Sequence, residues 1–143
     1  MNGRPAAGEI AALVLAASAL FLSACSSPTS PELEGGVLAT FDVRGERYSI
    51  FITDAQAIEQ VLALSKGQSE ARIPSGRVVK GRESYNAPWS WHIDPRDIQM
   101  AEVTMELCDG LPSDVEKNID YWAGTVGRFC PWSAVLVSLK DYR

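Results

Sequence analysis

The stretch VLATFDVRGERYSIFITDAQAIEQVLALSKG, residues 37–67, decides the fold class. Val37, Ala39, Phe41 and Val43 alternate with Leu38, Thr40 and Asp42. A period of two predicts a strand with one better-buried face. Arg44-Gly45-Glu46 reads as a tight turn, and RYSIFIT (47–53) is a second β-rich run. The two runs predict a hairpin with Gly45 at its turn. Thr53 with Gln56 three residues on has the form of a capping box. Ile58, Val61, Leu62 and Ser65 follow at helical spacing, and Gly67 is a natural stop. The unit is therefore strand, strand, helix.

Working downstream, RIPSGRVVKG predicts a short strand near 76–80, and RESYNAP a loop. WSWHID predicts a strand with Trp89, Trp91 and Ile93 on one face and Ser90, His92 and Asp94 on the other. DPRDIQMA reads as a turn. EVTMEL (102–107) alternates, with Val103, Met105 and Leu107 expected inside. A second helix is expected over 113–126. Ser113 with Glu116 suggests its capping box, Asp114 favours its N-terminal dipole, and Gly127 ends it. WSAVLVSL (132–139) is apolar on both faces, as a central strand would be. The predicted class is α+β: a largely antiparallel sheet of about five to six strands with two helices packed on it.

Working upstream, SSPTSPELEGG (26–36) has too few apolar residues to order itself and reads as a tether. Residues 10–22, IAALVLAASALFL, are nearly all apolar and follow Arg4, the pattern of a secretory signal. The run is shorter than the roughly 20 residues a membrane-spanning helix needs. It leads into Leu22-Ser23-Ala24-Cys25, which resembles the lipobox of bacterial lipoproteins. That resemblance implies cleavage before Cys25, a diacylglycerol thioether on its sulfur and, where the new amine is acylated, a fatty acid such as palmitate. The alternative is an ordinary secretory signal with an incidental cysteine. The expected organisation is a signal peptide over 1–24, a lipidated cysteine and tether over 25–36, and one domain over 37–143. The expected location is the extracytoplasmic face of the cell membrane.

With Cys25 set aside, Cys108 and Cys130 remain, and an even remainder in an exported chain reads as a disulfide. Two free thiols or a metal pair are the alternatives. A metal would need further ligands, and no CxxC or HxxxH spacing occurs. The net charge of −5 argues against nucleic acid as a partner, because phosphate contacts need a surplus of Lys and Arg. The basic run Arg72, Arg77, Lys80, Arg82 reads as solvated surface rather than an anion site.

His92 is the only histidine. A catalytic triad would need it as base, with Asp94 or Asp97 as orienter, and no serine lies in a GxSxG elbow. The carboxylates Asp94, Asp97, Glu102, Glu106, Asp109, Asp114, Glu116 and Asp120 are dense, but no DxDxDG calcium loop is present. Trp122 and Trp132 read as core. Tyr85, Trp89, Trp91, His92 and Asp94 make up the candidate ligand surface, and NAPWSWHID (86–94) is expected to pack mainly as core with His92 hydrogen-bonded at its edge. No catalytic residue, metal ligand or cofactor is assigned.

The run from ATFDVRGERYSIFIT through NAPWSWHIDP, AEVTMELCDG, DYWAGTVGRFCPW and LVSLKDY resembles the N-terminal domain of calmodulin-binding proteins of the BP type. The resemblance spans residues 39–143. It implies a compact exported domain with a Cys108, Cys130 pair, and it brings no catalytic residues. Calmodulin itself is not expected as a partner. Its targets are basic amphipathic helices, whereas the helix at 54–66 has Lys66 as its one basic residue and that at 113–126 is acidic. The expected function is a membrane-tethered, non-catalytic binding module. The alternatives are a small extracytoplasmic hydrolase using His92 with a nearby carboxylate, and an exported protease inhibitor acting through residues 81–88.

Overall fold

A computed structural model describes Gly3 and residues 32–143. Strands β1 (Val37–Val43) and β2 (Glu46–Ile52) form the predicted hairpin. Arg44 and Gly45 both adopt positive φ, and Asp42 Oδ1 accepts the Gly45 N–H at 2.8 Å. Two consecutive positive φ values match the right-handed twist of the flanking strands. Val37, Ala39, Phe41 and Val43 are all buried, as the alternation predicts.

Helix α1 spans Ala55–Ser65. Its N-cap is Asp54, not Thr53: Asp54 Oδ1 accepts the Ala57 N–H at 2.8 Å. The Thr53 hydroxyl donates instead to the Pro95 carbonyl at 3.0 Å, a partner 42 residues away. Gly67, with φ of +69°, ends the helical segment.

Strand β3 is longer than predicted, Ile73–Lys80, and β4 runs Trp91–Ala101. DPRDIQMA is therefore not a turn. It continues β4 through a bulge: Val78 pairs with Ile93 and Gly76 with Ile98, so β4 takes five steps where β3 takes two. Proline is tolerated at a bulge, where its missing N–H breaks no ladder bond.

The expected strand at 102–107 is absent. Its residues form a loop leading to a 3-10 turn at Glu106–Cys108, and Val103 is 83% exposed. The cause is occupancy. β3 pairs with β4 on one side and, through Gly76 and Arg77, with β5 (Arg128–Phe129) on the other, so the short β5 takes the central part of the edge that EVTMEL would need.

The second helical region is broken into α2 (Pro112–Lys117), α3 (Ile119–Tyr121) and a π-helical turn at Trp122–Val126. Gly127, at φ of +79°, stops it. The Ser113, Glu116 box does not form. Ser113 donates from its N–H and hydroxyl to Glu46, and Glu116 accepts the Ser90 N–H, so tertiary partners claim both residues. Asp114 accepts the Leu111 N–H at 3.0 Å.

Strand β6 (Ala134–Asp141) pairs only with β1 and lies at a sheet edge, contrary to the central position expected for it. Val135 is 60% exposed because only one face of β6 is covered.

The class is α+β. Among the described residues six strands divide into two antiparallel three-stranded sheets, ordered β2-β1-β6 and β4-β3-β5. Their buried residues share one core with α1, Val115 and Trp122. Tyr48, Trp91 and Phe129 meet at its centre with ring centroids 5.3–5.9 Å apart, and Trp122 meets Phe129 edge-on at 5.7 Å. Aromatic pairs in these tilted and edge-on arrangements contribute about 0.5–1.5 kcal/mol each beyond their burial. Cys108 and Cys130 are disulfide-bonded, with Cα atoms 5.1 Å apart.

Candidate functional site

NAPWSWHID is built around a buried amide. Asn86 is almost wholly enclosed; its Oδ1 accepts the Ser49 N–H at 2.7 Å and its Nδ2 donates to the Trp91 carbonyl at 2.8 Å. It thus joins the segment to β2 and to the start of β4. Trp91 is 0% exposed, so it belongs to the core and not to a ligand surface. Its indole N–H has no hydrogen-bond partner among the described residues. Trp89 is half-buried against Trp91 and donates its indole N–H to the Arg47 carbonyl at 2.8 Å.

His92 lies at the edge of this packing. Its Nδ1 is 2.9 Å from the Gly81 carbonyl oxygen. A carbonyl only accepts, so Nδ1 is the donor in this contact.

Asp94 is only 5% exposed, which corrects its placement on the solvent face: it sits in the β4 bulge, where the two-residue alternation breaks down. Oδ1 accepts the Arg96 N–H at 3.0 Å, and Oδ2 pairs with the Arg77 guanidinium. The Arg96 backbone N–H above all, joined by the Arg77 guanidinium, holds the carboxyl below the usual range against the opposing effect of desolvation. Asp97 accepts from Arg128 Nη1 at 2.7 Å, and Arg128 also bonds the Ser75 hydroxyl and carbonyl. These carboxylates are engaged by guanidinium groups. The contact between His92 and a carboxylate that a triad requires is replaced by the bond to Gly81.

A groove of about 400 Å³ opens beside these residues. Phe51, Val79 and Pro95 supply its apolar lining, and Thr53, His92, Asp94 and Arg96 its polar groups. Tyr85 packs on Phe51 at 6.2 Å between ring centroids. Burial, reinforced by the charges of Glu83 and Asp94, pushes the Tyr85 phenol up from its ordinary value. The Arg96 side chain is largely exposed and also lines a second hollow of about 380 Å³ between α1 and β4, with Gln56, Gln60, Asp97 and Gln99. The structure therefore brings Tyr85, His92 and Asp94 to one region and withdraws Trp91 from it.

No local sequence pattern marks Phe51 or Arg96 as a site residue. Phe51 lies in the hairpin and Arg96 in a segment read as a turn. The alternation in β4 stops at the bulge, so no periodic signal pointed to Arg96.

Residues 81–88, the exposed loop of the inhibitor alternative, are mostly exposed, with Gly81, Arg82, Ser84, Ala87 and Pro88 at the surface. They contain a 3-10 turn at Ser84–Asn86, bury Asn86, and are crossed by a bond from Arg82 Nη1 to the Pro88 carbonyl. Of the basic run, Arg77 pairs with Asp94 and Asp97, and Lys80 with Asp120.

No curated protein and no solved structure matches the chain. A family model does, that of the BP-74 N-terminal domain, over residues 36–142. The match takes in both sheets, all the helices described above and the disulfide, and on that evidence the chain belongs to the BP-74 N-terminal domain family.

Proposed function

We propose that the chain is a lipoprotein held by Cys25 on the extracytoplasmic face of the cell membrane, and that its domain is a non-catalytic binding module. Cys25 and the signal segment lie outside the described residues, so the anchor rests on the lipobox pattern. The binding reading rests chiefly on the groove beside His92: its apolar walls are flanked by an exposed Arg96, while Asp94 is already saturated by Arg77 and Arg96. A site of mixed apolar lining and a few convergent polar groups suits ligand capture. A carboxylate bonded on both oxygens is poorly placed to act as a base.

Two measurements test this. In cells fed labelled palmitate, the chain should carry the label and Cys25→Ser should lose it; a labelled Cys25→Ser chain would refute the anchor. In a fragment screen read by NMR shifts, hits should move the His92 and Arg96 resonances and weaken in Arg96→Glu. Hits that map only elsewhere would refute the groove.

A further inference from the structure

Six large apolar residues lie exposed on two segments: Val103, Met105 and Leu107 on the loop and 3-10 turn after β4, and Trp132, Val135 and Val137 on and just before β6, at 41–83% exposure. Trp132 and Val103 line one hollow, and Trp132 and Val135 line the next, so the two segments adjoin. The fold holds them together. The Cys108–Cys130 disulfide joins their ends, Trp132 Nε1 donates to the Thr104 hydroxyl at 2.7 Å, and the Trp132 N–H donates to Asp109 Oδ1 at 2.8 Å. Contiguous apolar surface of this kind marks a contact site.

We infer that this edge rests on the lipid bilayer, an inference that builds on the lipid-anchor reading. The argument is geometric. Asp141, at the end of β6, pairs with Val37, and Gly35 and Gly36 are already bonded to Tyr142 just before it, so the tether enters the domain at Gly35. From there the strip runs back along β6 through Val137 and Val135 to Trp132, a strand about 23 Å long. Nine residues, 26–34, separate Cys25 from Gly35. A chain of that length spans about 17 Å as a relaxed coil and at most about 32 Å extended. An anchored domain lying on its β6 edge needs no more reach than this. The side chains suit the location. Val103, Met105 and Leu107 project from a loop, as interfacial insertion requires, and Trp132 has the amphipathic ring favoured at a headgroup boundary. Glu102 and Glu106 flank them on the loop, with Arg72 beside Trp132 and Lys140 near the tether end. These two acidic and two basic groups cancel, so the apolar side chains rather than net charge carry the contact, and a zwitterionic surface suffices.

The test uses the mature lipidated chain with phosphatidylethanolamine–phosphatidylcholine vesicles carrying brominated acyl chains. Flotation reads the anchor. Quenching of the emission lost in Trp132→Phe reads the edge. The expected result is flotation with Trp132 quenched, quenching undiminished at high salt, and quenching lost in Val103→Asp/Leu107→Asp while flotation persists. Both positions are already exposed, so the fold should tolerate the change. Flotation without Trp132 quenching overturns the inference and leaves the edge to a second copy or a protein partner. Quenching that salt abolishes also overturns it. Quenching on vesicle addition without flotation removes the anchor alone, and loss of both signals removes both readings.

Discussion

Replacing Asn86 by alanine tests the claim that NAPWSWHID is core organised by one amide. The native side chain accepts from Ser49 N–H at 2.7 Å and donates to the Trp91 carbonyl at 2.8 Å. Alanine removes both partners and leaves two backbone groups in place, that of Trp91 buried and that of Ser49 half-buried. An unsatisfied buried group costs about 1–3 kcal/mol. Ser49 belongs at the low end of that range because water has partial access to it, so the sum is about 3 kcal/mol. Urea unfolding of the oxidised protein measures this. With a slope of about 1.5 kcal/mol/M the midpoint should fall by about 2 M at unchanged slope. Asn86→Asp separates hydrogen bonding from lost volume. It keeps an acceptor for Ser49 but turns a carboxylate oxygen toward the Trp91 carbonyl, and should be at least as damaging as alanine. A loss below about 1 kcal/mol in both variants would refute the reasoning, since it lies at the bottom of the cost of a single unsatisfied group.

Three further outcomes follow from the same structure. Cys108→Ser/Cys130→Ser should lower stability by about 3 kcal/mol, the loop-closure value for a sequence separation of 22, as measured by denaturant unfolding against the oxidised parent. Gly76→Ala would drive a Cβ into Ile93 Cγ2 and to 3.0 Å from the Asp97 carbonyl oxygen, and should cost about 1–3 kcal/mol in the same unfolding assay; a neutral result would mean that the β4 bulge yields easily. Asp94 has a depressed folded-state pKa, so its contribution is present above the ordinary carboxylate value and is lost as pH falls through the folded one. The parent should therefore lose more stability than Asp94→Asn as pH falls from about 5 to about 2, and parallel curves would contradict the assignment.

The local pattern sufficed for the β1–β2 hairpin, for α1 and for the stop at Gly67, because each depends on residues within a few positions of one another. The disulfide was legible from cysteine arithmetic, and the class from the order of the elements. Partner-dependent features were not. EVTMEL and WSAVLVSL both carry strand patterns, yet one joins neither sheet and the other lies at an edge with Val135 in solvent. Alternation reports that a segment suits a sheet, not whether a sheet has a free edge for it. The site divides in the same way. The packing of Trp91 and the edge position of His92 follow from a bulky run of residues. The burial of Asp94 and the arrival of Arg96 beside Phe51 come with the bulge in β4 opposite β3, which appears only in the pairing of the two strands. Sequence by itself determined which segments fold locally and which cysteines remain to pair. Tertiary structure alone decided which faces are covered, because burial depends on what other elements leave open.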